Sequence, residues 1–139
     1  MSWNENIIEE FRTNEGRVGG GFTGATLLLL HTKGRKTGTE RVNPLAYLPD
    51  DGRWVVFGSK GGAPADPDWV RNLAANPDVT IEVGTETIPV RATKILRDEP
   101  ERDELYSRQV ARMGGFGEYE EKTKGIRTIP VIVLERREP

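Results

Sequence analysis

The chain contains no cysteine and a single histidine among its 139 residues. Without thiols there is no disulfide framework, no thiolate nucleophile and no cysteine-ligated zinc. A reducing compartment is permitted, so the cytoplasm is the simplest expectation. Charge of one sign is also missing in bulk, since 20 Lys+Arg stand against 22 Asp+Glu for a net of -2. That balance supplies no overall field for gripping nucleic acid or an anionic membrane, and any basic site must be local. Long apolar runs are absent too. The longest, Ala25 to Leu30, contains Thr26 and falls far short of the ~20 residues that span a bilayer, so no transmembrane helix is expected. The start, MSWNENIIEEF, has neither the basic beginning nor the apolar core of a signal peptide.

What is present fits one domain covering residues 1–139, the default at this length. Trp3, Ile7, Ile8 and Phe11 recur at helical spacing, so residues 2–13 read as a short amphipathic helix with Glu5, Glu9 and Glu10 on or near its wet side. The simplest role for the stripe is packing on the domain. Membrane-surface helices usually carry Lys or Arg where this one is acidic. ATLLLLHT reads as a buried strand, and GTERVNPLAYL as its hairpin partner across TKGRKTG. Pro44 cannot donate to a ladder, which implies an edge or a bulge where backbone groups are open to a ligand. RWVVFGS, DVTIEVG, ETIPVRATKIL and IRTIPVIVLERR supply four more strands. KGGAPADPDWVRNLAANP reads as a flexible loop and then a helix with Asp66 as N-cap and Pro67 at its first position. A second runs from Asp98 through Met113, and GGFGEYEEKTKG holds one helical turn at most. Six strands joined mainly by hairpins, with two or three helices inserted, predict a mostly β (α+β) domain built on a small closed or half-open barrel.

Candidate sites are few. Lys33, Arg35, Lys36 and Arg41 crowd one glycine-punctuated hairpin against the lone Glu40. With Gly34 and Gly38 they suit a phosphate or several carboxylates, or else form a solvated hairpin tip. The Walker A pattern is not met, and KTG lacks the Ser-x-x-Lys nucleophile of penicillin-binding enzymes. Ser59 to Gly62 lie where a strand meets a loop that leads into a helix, a place where backbone amides meet planar polar ligands. His31 has no carboxylate or second histidine in sequence register to orient it, and reads as a strand-end histidine. The carboxylates fall in helix-face runs such as DEPERDE and EYEE, with no metal cage and no acid/base pair.

Taken together, GRKTGTERVNPLAYL, GSKGGAPADPDWVRNLAANPDVTIEVG and RTIPVIVLE resemble the deazaflavin-dependent nitroreductase family, also called coenzyme F-420H2-dependent quinone reductases, from about residue 25 onward. The resemblance implies a split β-barrel of the flavin-reductase and pyridoxamine-phosphate-oxidase kind. It implies that reduced coenzyme F-420, an 8-hydroxy-5-deazaflavin, passes a hydride to a quinone-like or nitro acceptor. On this pattern the phosphate and acidic tail meet Arg35, Lys36, Thr37, Arg41, Val42, Asn43, Pro44, Leu45 and Ala46. Phe57, Gly58, Ser59, Lys60, Gly61 and Gly62, with Asp68, Trp69, Val70, Arg71 and Asn72, surround the coenzyme. Ser59 and Lys60 lie near its ring. The proton that completes quinone reduction is assigned to Tyr119 or Ser59. Phe116 and Ala46 stand where nitroimidazole-reducing relatives carry tyrosine, which favours simple quinones over nitro drugs. The rivals are an FMN-dependent oxidoreductase on the same barrel and a non-catalytic deazaflavin-binding protein. A homodimer and weak contact with the inner membrane face are compatible with the resemblance.

Overall fold

The computed structural model describes residues 3–16 and 27–137. Six antiparallel strands close into a barrel in the order β1-β2-β3-β6-β5-β4. They are β1 (Leu27–Lys33), β2 (Glu40–Asp50), β3 (Arg53–Phe57), β4 (Asp78–Val83), β5 (Glu86–Leu96) and β6 (Val131–Arg136). Ala25 and Thr26, expected to open the first strand, lie outside the described residues. The helices are α1 (Trp3–Thr13), α2 (Asp68–Ala75), α3 (Pro100–Arg112) and α4 (Gly115–Thr123).

The hairpins form where alternation and turn residues agree. Lys33 pairs with Glu40 across the cationic loop, and Val83 pairs with Glu86 across Gly84-Thr85. Among the described residues, the β2 stretch 40–46 pairs with β1 alone, and Tyr47 to Asp50 pair with β3. Pro44 therefore sits in a stretch laddered on one side, where a missing donor is tolerated.

Alternation along the strands sorts side chains into layers. Leu28, Leu30, Val56, Val79, Ile81, Ile88, Val90, Ile132 and Leu134 form the barrel interior, into which α2 inserts Trp69, Val70 and Leu73. The opposite faces of β3 and β6, with Leu48 and Leu96, pack under α3 and α4 through Leu105, Tyr106 and Phe116. Helix α1 covers Leu27 and Leu29 with Phe11, assisted by Ile7 and Ile8. The described part of its apolar stripe thus packs on the barrel. No helix among the described residues is long and apolar enough to cross a bilayer.

Three local expectations are corrected. Asp66 does not cap α2. Pro67 holds the cap position without a side-chain bond, while Asp66 pairs with Arg97 and Arg127 at 2.7 and 2.9 Å. Helix α3 begins at Pro100 rather than Asp98, as proline at a first helical position favours. The GGFGEYEE segment is a nine-residue helix and not a single turn, because Phe116 is buried and its carbonyl accepts the Tyr106 hydroxyl at 2.6 Å. Tertiary contact overrides the poor helix propensity of its two glycines, Gly115 and Gly117.

His31 is a fourth correction, since two carboxylates flank it. Its Nδ1 lies 2.7 Å from Glu40 and its Nε2 2.6 Å from Glu82. Glu82 also accepts from Arg12 at 2.7 and 3.1 Å. The hydrogen bond from Arg12, joined by that of His31, holds the Glu82 carboxyl below its ordinary 4.5. The network fastens α1 to β4.

Candidate active site

A cleft of about 560 Å³ opens along the unladdered side of β2. One wall is β2 itself, through Arg41, Asn43, Pro44, Leu45 and Ala46. A second is the end of β3 and the turn after it, through Phe57, Ser59 and Lys60, continuing into Pro67, Asp68, Trp69 and Asn72 of α2 and its approach. The third is apolar and aromatic, with Met113 after α3 and with Phe116 and Tyr119 on α4. Three segments far apart in sequence thus converge where one strand leaves its neighbour.

The aromatic wall is ordered by edge-to-face contacts. Phe116 meets Phe57 at 5.5 Å and Tyr119 at 5.2 Å between ring centroids, an arrangement favoured by ring quadrupoles. Behind them Tyr106 touches Phe57 at 5.7 Å, and burial pushes its phenol well above its ordinary value. Its hydroxyl therefore stays protonated and serves as the donor to Phe116. Tyr119 is half-buried and faces the cleft, while Ser59 is 8% exposed beside it.

The turn carrying Ser59 is tightly shaped. Residues Lys60–Gly62 form a 3-10 turn with Lys60 at φ 46 and Gly62 at φ 86. A Cβ at Gly62 would stand 2.8 Å from Lys122 Cδ and 3.4 Å from Tyr119 Cα, so only glycine lets the turn tuck beneath α4. A non-glycine residue in the left-handed region is uncommon, and Lys60 occupies it at the cleft mouth.

Among the anticipated coenzyme residues, the cleft brings together Arg41, Asn43, Pro44, Leu45, Ala46, Phe57, Ser59, Lys60, Asp68, Trp69 and Asn72, with Tyr119 opposite. Arg35 stands one step behind the lining and donates from its backbone and guanidinium to Asn72 Oδ1 at 3.2 and 3.1 Å. Lys36 and Thr37 lie exposed on the hairpin tip. Val42 packs toward α1. Gly58 and Val70 face inward, where a Cβ on Gly58 would stand 2.7 Å from Pro130 and 2.9 Å from Val70. Arg71 is not among the lining residues and pairs with Asp68 at 3.3 Å. Gly62 shapes the turn and is not among the lining residues. Pro67, Met113 and Phe116 line it although the sequence pattern marked none of them as coenzyme contacts. Met113 did show as part of an apolar helix face. Among the described residues no cluster of His, Asp or Glu could hold a metal.

Comparison with known proteins gives the cleft a context. The profile of a family described as "F420H(2)-dependent quinone reductase" matches residues 3–136, so the likeness includes α1 and starts well before residue 25. The chain is 38% identical over 129 residues to an F420H(2)-dependent quinone reductase of Mycobacterium tuberculosis, covering 91% of this chain and 85% of that protein. A solved structure of an "F420-H2 Dependent Reductase (FDR-A)" is 33% identical and aligns with a TM-score of 0.70 over 79% of this chain and 94% of that one. A further structure, a domain-swapped dimer, is 32% identical with a TM-score of 0.71 over 94% and 93% of the two chains. At 11% identity, which speaks to fold alone, a pyridoxamine 5'-phosphate oxidase-like chain from Listeria innocua aligns with a TM-score of 0.56 over 96% and 93%. The split barrel expected from the sequence is the fold observed.

Proposed function

Because the chain belongs to the F420H(2)-dependent quinone reductase family, we propose that the β2–α4 cleft is where its coenzyme and its acceptor meet. Family membership supplies the reaction class, which is oxidoreduction with reduced coenzyme F-420 as donor and a quinone as acceptor. The observation that carries the site is the pairing of a cationic rim with a planar, apolar interior. Arg41 and Lys60 line the mouth and Lys36 stands nearby, and none of the three has an ion-pair partner among the described residues. Met113, Phe116 and Tyr119 form the interior wall.

These residues fit the coenzyme's chemistry. A flat tricyclic ring suits a slot with aromatic and aliphatic sides, and a phosphate with a chain of carboxylates suits cations that are unpaired and wet. The one-sided stretch of β2 leaves backbone groups facing the same space. When bound, the reduced coenzyme supplies the hydride. The chain orients ring and acceptor, excludes water with the Phe57–Phe116–Tyr119 wall, and offers a proton from Tyr119 or Ser59. Hydride transfer from the coenzyme requires no acid/base pair. Tyr119 is the donor this reading favours, since it lines the cleft on the aromatic wall and negative charge developing on a quinone oxygen is stabilised by such a hydrogen bond.

Phe116 fills the wall without a hydroxyl, which favours quinones over nitro compounds. A homodimer is proposed on the strength of the domain-swapped relative, and light scattering on the eluting protein tests it. The site itself is tested by titrating coenzyme F-420 into wild type and into Ala46→Trp. Ala46 lines the cleft half-buried, so the indole should occupy the slot and abolish binding. Unchanged affinity in a folded Ala46→Trp protein would place the site elsewhere.

A further inference from the structure

One guanidinium organises the turn that bears Ser59 and Lys60, and it comes from outside the cleft. Arg127, in the connection between α4 and β6, is 11% exposed. Its Nε donates to Ala63 O at 3.0 Å, one terminal nitrogen donates to Gly58 O at 3.0 Å and Asp66 Oδ1 at 2.9 Å, and the other donates to Ser59 O at 3.0 Å. These four acceptors bracket the Lys60–Gly62 turn on both sides. Arg127 is itself fixed to α4, since its backbone N-H donates to Thr123 O at 3.0 Å. Thr123 Oγ1 in turn donates to Tyr119 O at 3.1 Å.

The turn needs such a clamp. Lys60 adopts the left-handed conformation at φ 46, which is strained for a non-glycine residue. Within the turn the Gly62 and Ala63 N-H groups bond Ser59 O and Lys60 O. No lysine reproduces the planar fork that meets carbonyls and a carboxylate together.

We propose that Arg127 is a positioning residue, holding the Ser59–Lys60 turn against α4 so that the coenzyme face and the Phe116–Tyr119 wall keep a fixed separation. The proposal rests on the reading of the cleft as the coenzyme site. It assigns to the segment before β6 a role in coenzyme affinity although Arg127 does not line the cleft.

The test pairs Arg127→Lys with Arg137→Lys. Arg137 makes a similar clamp away from the cleft, donating to Val90 O and Val79 O at 2.8 and 2.9 Å. It reports what losing a carbonyl-bound guanidinium does to stability alone. Amide exchange is measured on the coenzyme-free proteins, and coenzyme F-420 affinity by fluorescence quenching well below the unfolding temperature of every variant. Arg127→Lys is expected to speed exchange at Gly62 and Ala63 and to weaken coenzyme binding about tenfold, with Arg137→Lys within twofold of wild type. Asp66→Asn, which removes the carboxylate's charge from the clamp and keeps the shape, should move both readouts in the same direction by about threefold, and it decides the matter should Arg127→Lys not fold. Less than a threefold change in affinity for Arg127→Lys, or an equal change in Arg137→Lys, overturns the inference. Wild-type protein that fails to bind coenzyme sinks the underlying reading as well, and is told apart because it involves no variant.

Discussion

Two glycine-and-lysine segments border the cleft and solve opposite problems. The hairpin tip, residues 34–39, is closed by backbone bonds between Gly34 and Thr39 and between Gly38 and Gly34, both at 2.8 Å, and it leaves Lys36 exposed without an ion pair among the described residues. The turn at Lys60–Gly62 is pressed beneath α4 and clamped by Arg127. The hairpin contributes charge and little fixed shape. The turn contributes shape, and the cation that stabilises it is spent on carbonyls rather than on a ligand. The difference separates two ways in which glycine and basic residues serve a binding site, long-range attraction for an anionic tail and rigid placement for a planar ring.

The widest separation should appear in turnover. Tyr119→Phe is expected to lower kcat by ~10²-fold or more, as loss of general acid help typically does, while coenzyme affinity stays nearly unchanged. An unaltered kcat would shift the proton to solvent or to Ser59, which a parallel Ser59→Ala variant resolves.

Backbone substitutions contrast the segments next. Gly62→Val must bear the left-handed conformation and a 2.8 Å approach to Lys122, so urea denaturation should show a loss of roughly 2–5 kcal/mol. Gly38→Val shares the positive φ but meets nothing within 4 Å, so roughly 1–2 kcal/mol is expected. Equal losses would erase the distinction between a packed turn and a free tip.

Charge removal should act on the hairpin alone. Lys36→Ala is expected to weaken coenzyme binding by roughly 1.5–3 kcal/mol through a lost charge-assisted contact, and raising salt should mimic most of that loss in wild type. The Phe116→Tyr variant should raise nitroreduction by a smaller factor, read as rate on a bicyclic nitroimidazole, with quinone reduction little changed.

The smallest effect is remote from both segments. Glu82 is held low chiefly by its hydrogen bond from Arg12, and Asp50 by hydrogen bonds from Arg108 and then Arg53. A depressed carboxyl contributes stability that is present above its unfolded value and lost as pH falls through its folded one. The ordinary values are 4.5 and 3.8, so the urea midpoint should fall as pH drops below about 5, and Glu82→Gln should flatten that slope. Coenzyme affinity measured above that range should be untouched by the substitution.

How much of this was legible depends on whether the signal was local. The hairpins were, because β-branched and aliphatic runs bounded by Gly, Pro and Asp state their own turns. The one-sided stretch of β2 was legible through Pro44 alone. Helix α4 was not, since Gly115 and Gly117 argue against a helix that the Tyr106 hydroxyl and the Phe116 ring then stabilise. The partners of His31 were not, because Glu40 and Glu82 arrive diagonally from two different strands and only the barrel register unites them. Of the cleft, the β2 and Ser59–Lys60 walls were visible as motifs. Phe116 was marked by the resemblance as an acceptor-side position, whereas Met113 entered only through α3 and α4 folding over β3. Arg127 stood in a quoted motif, yet nothing in its spacing indicated the four acceptors it collects.

The most direct test of the central claim is a side-by-side calorimetric titration of coenzyme F-420 and FMN into wild-type protein at low and high salt. The account predicts that F-420 binds more tightly than FMN and loses affinity as salt rises, because its carboxylate tail meets Lys36 and Arg41. Tight FMN binding with no F-420 binding would contradict it.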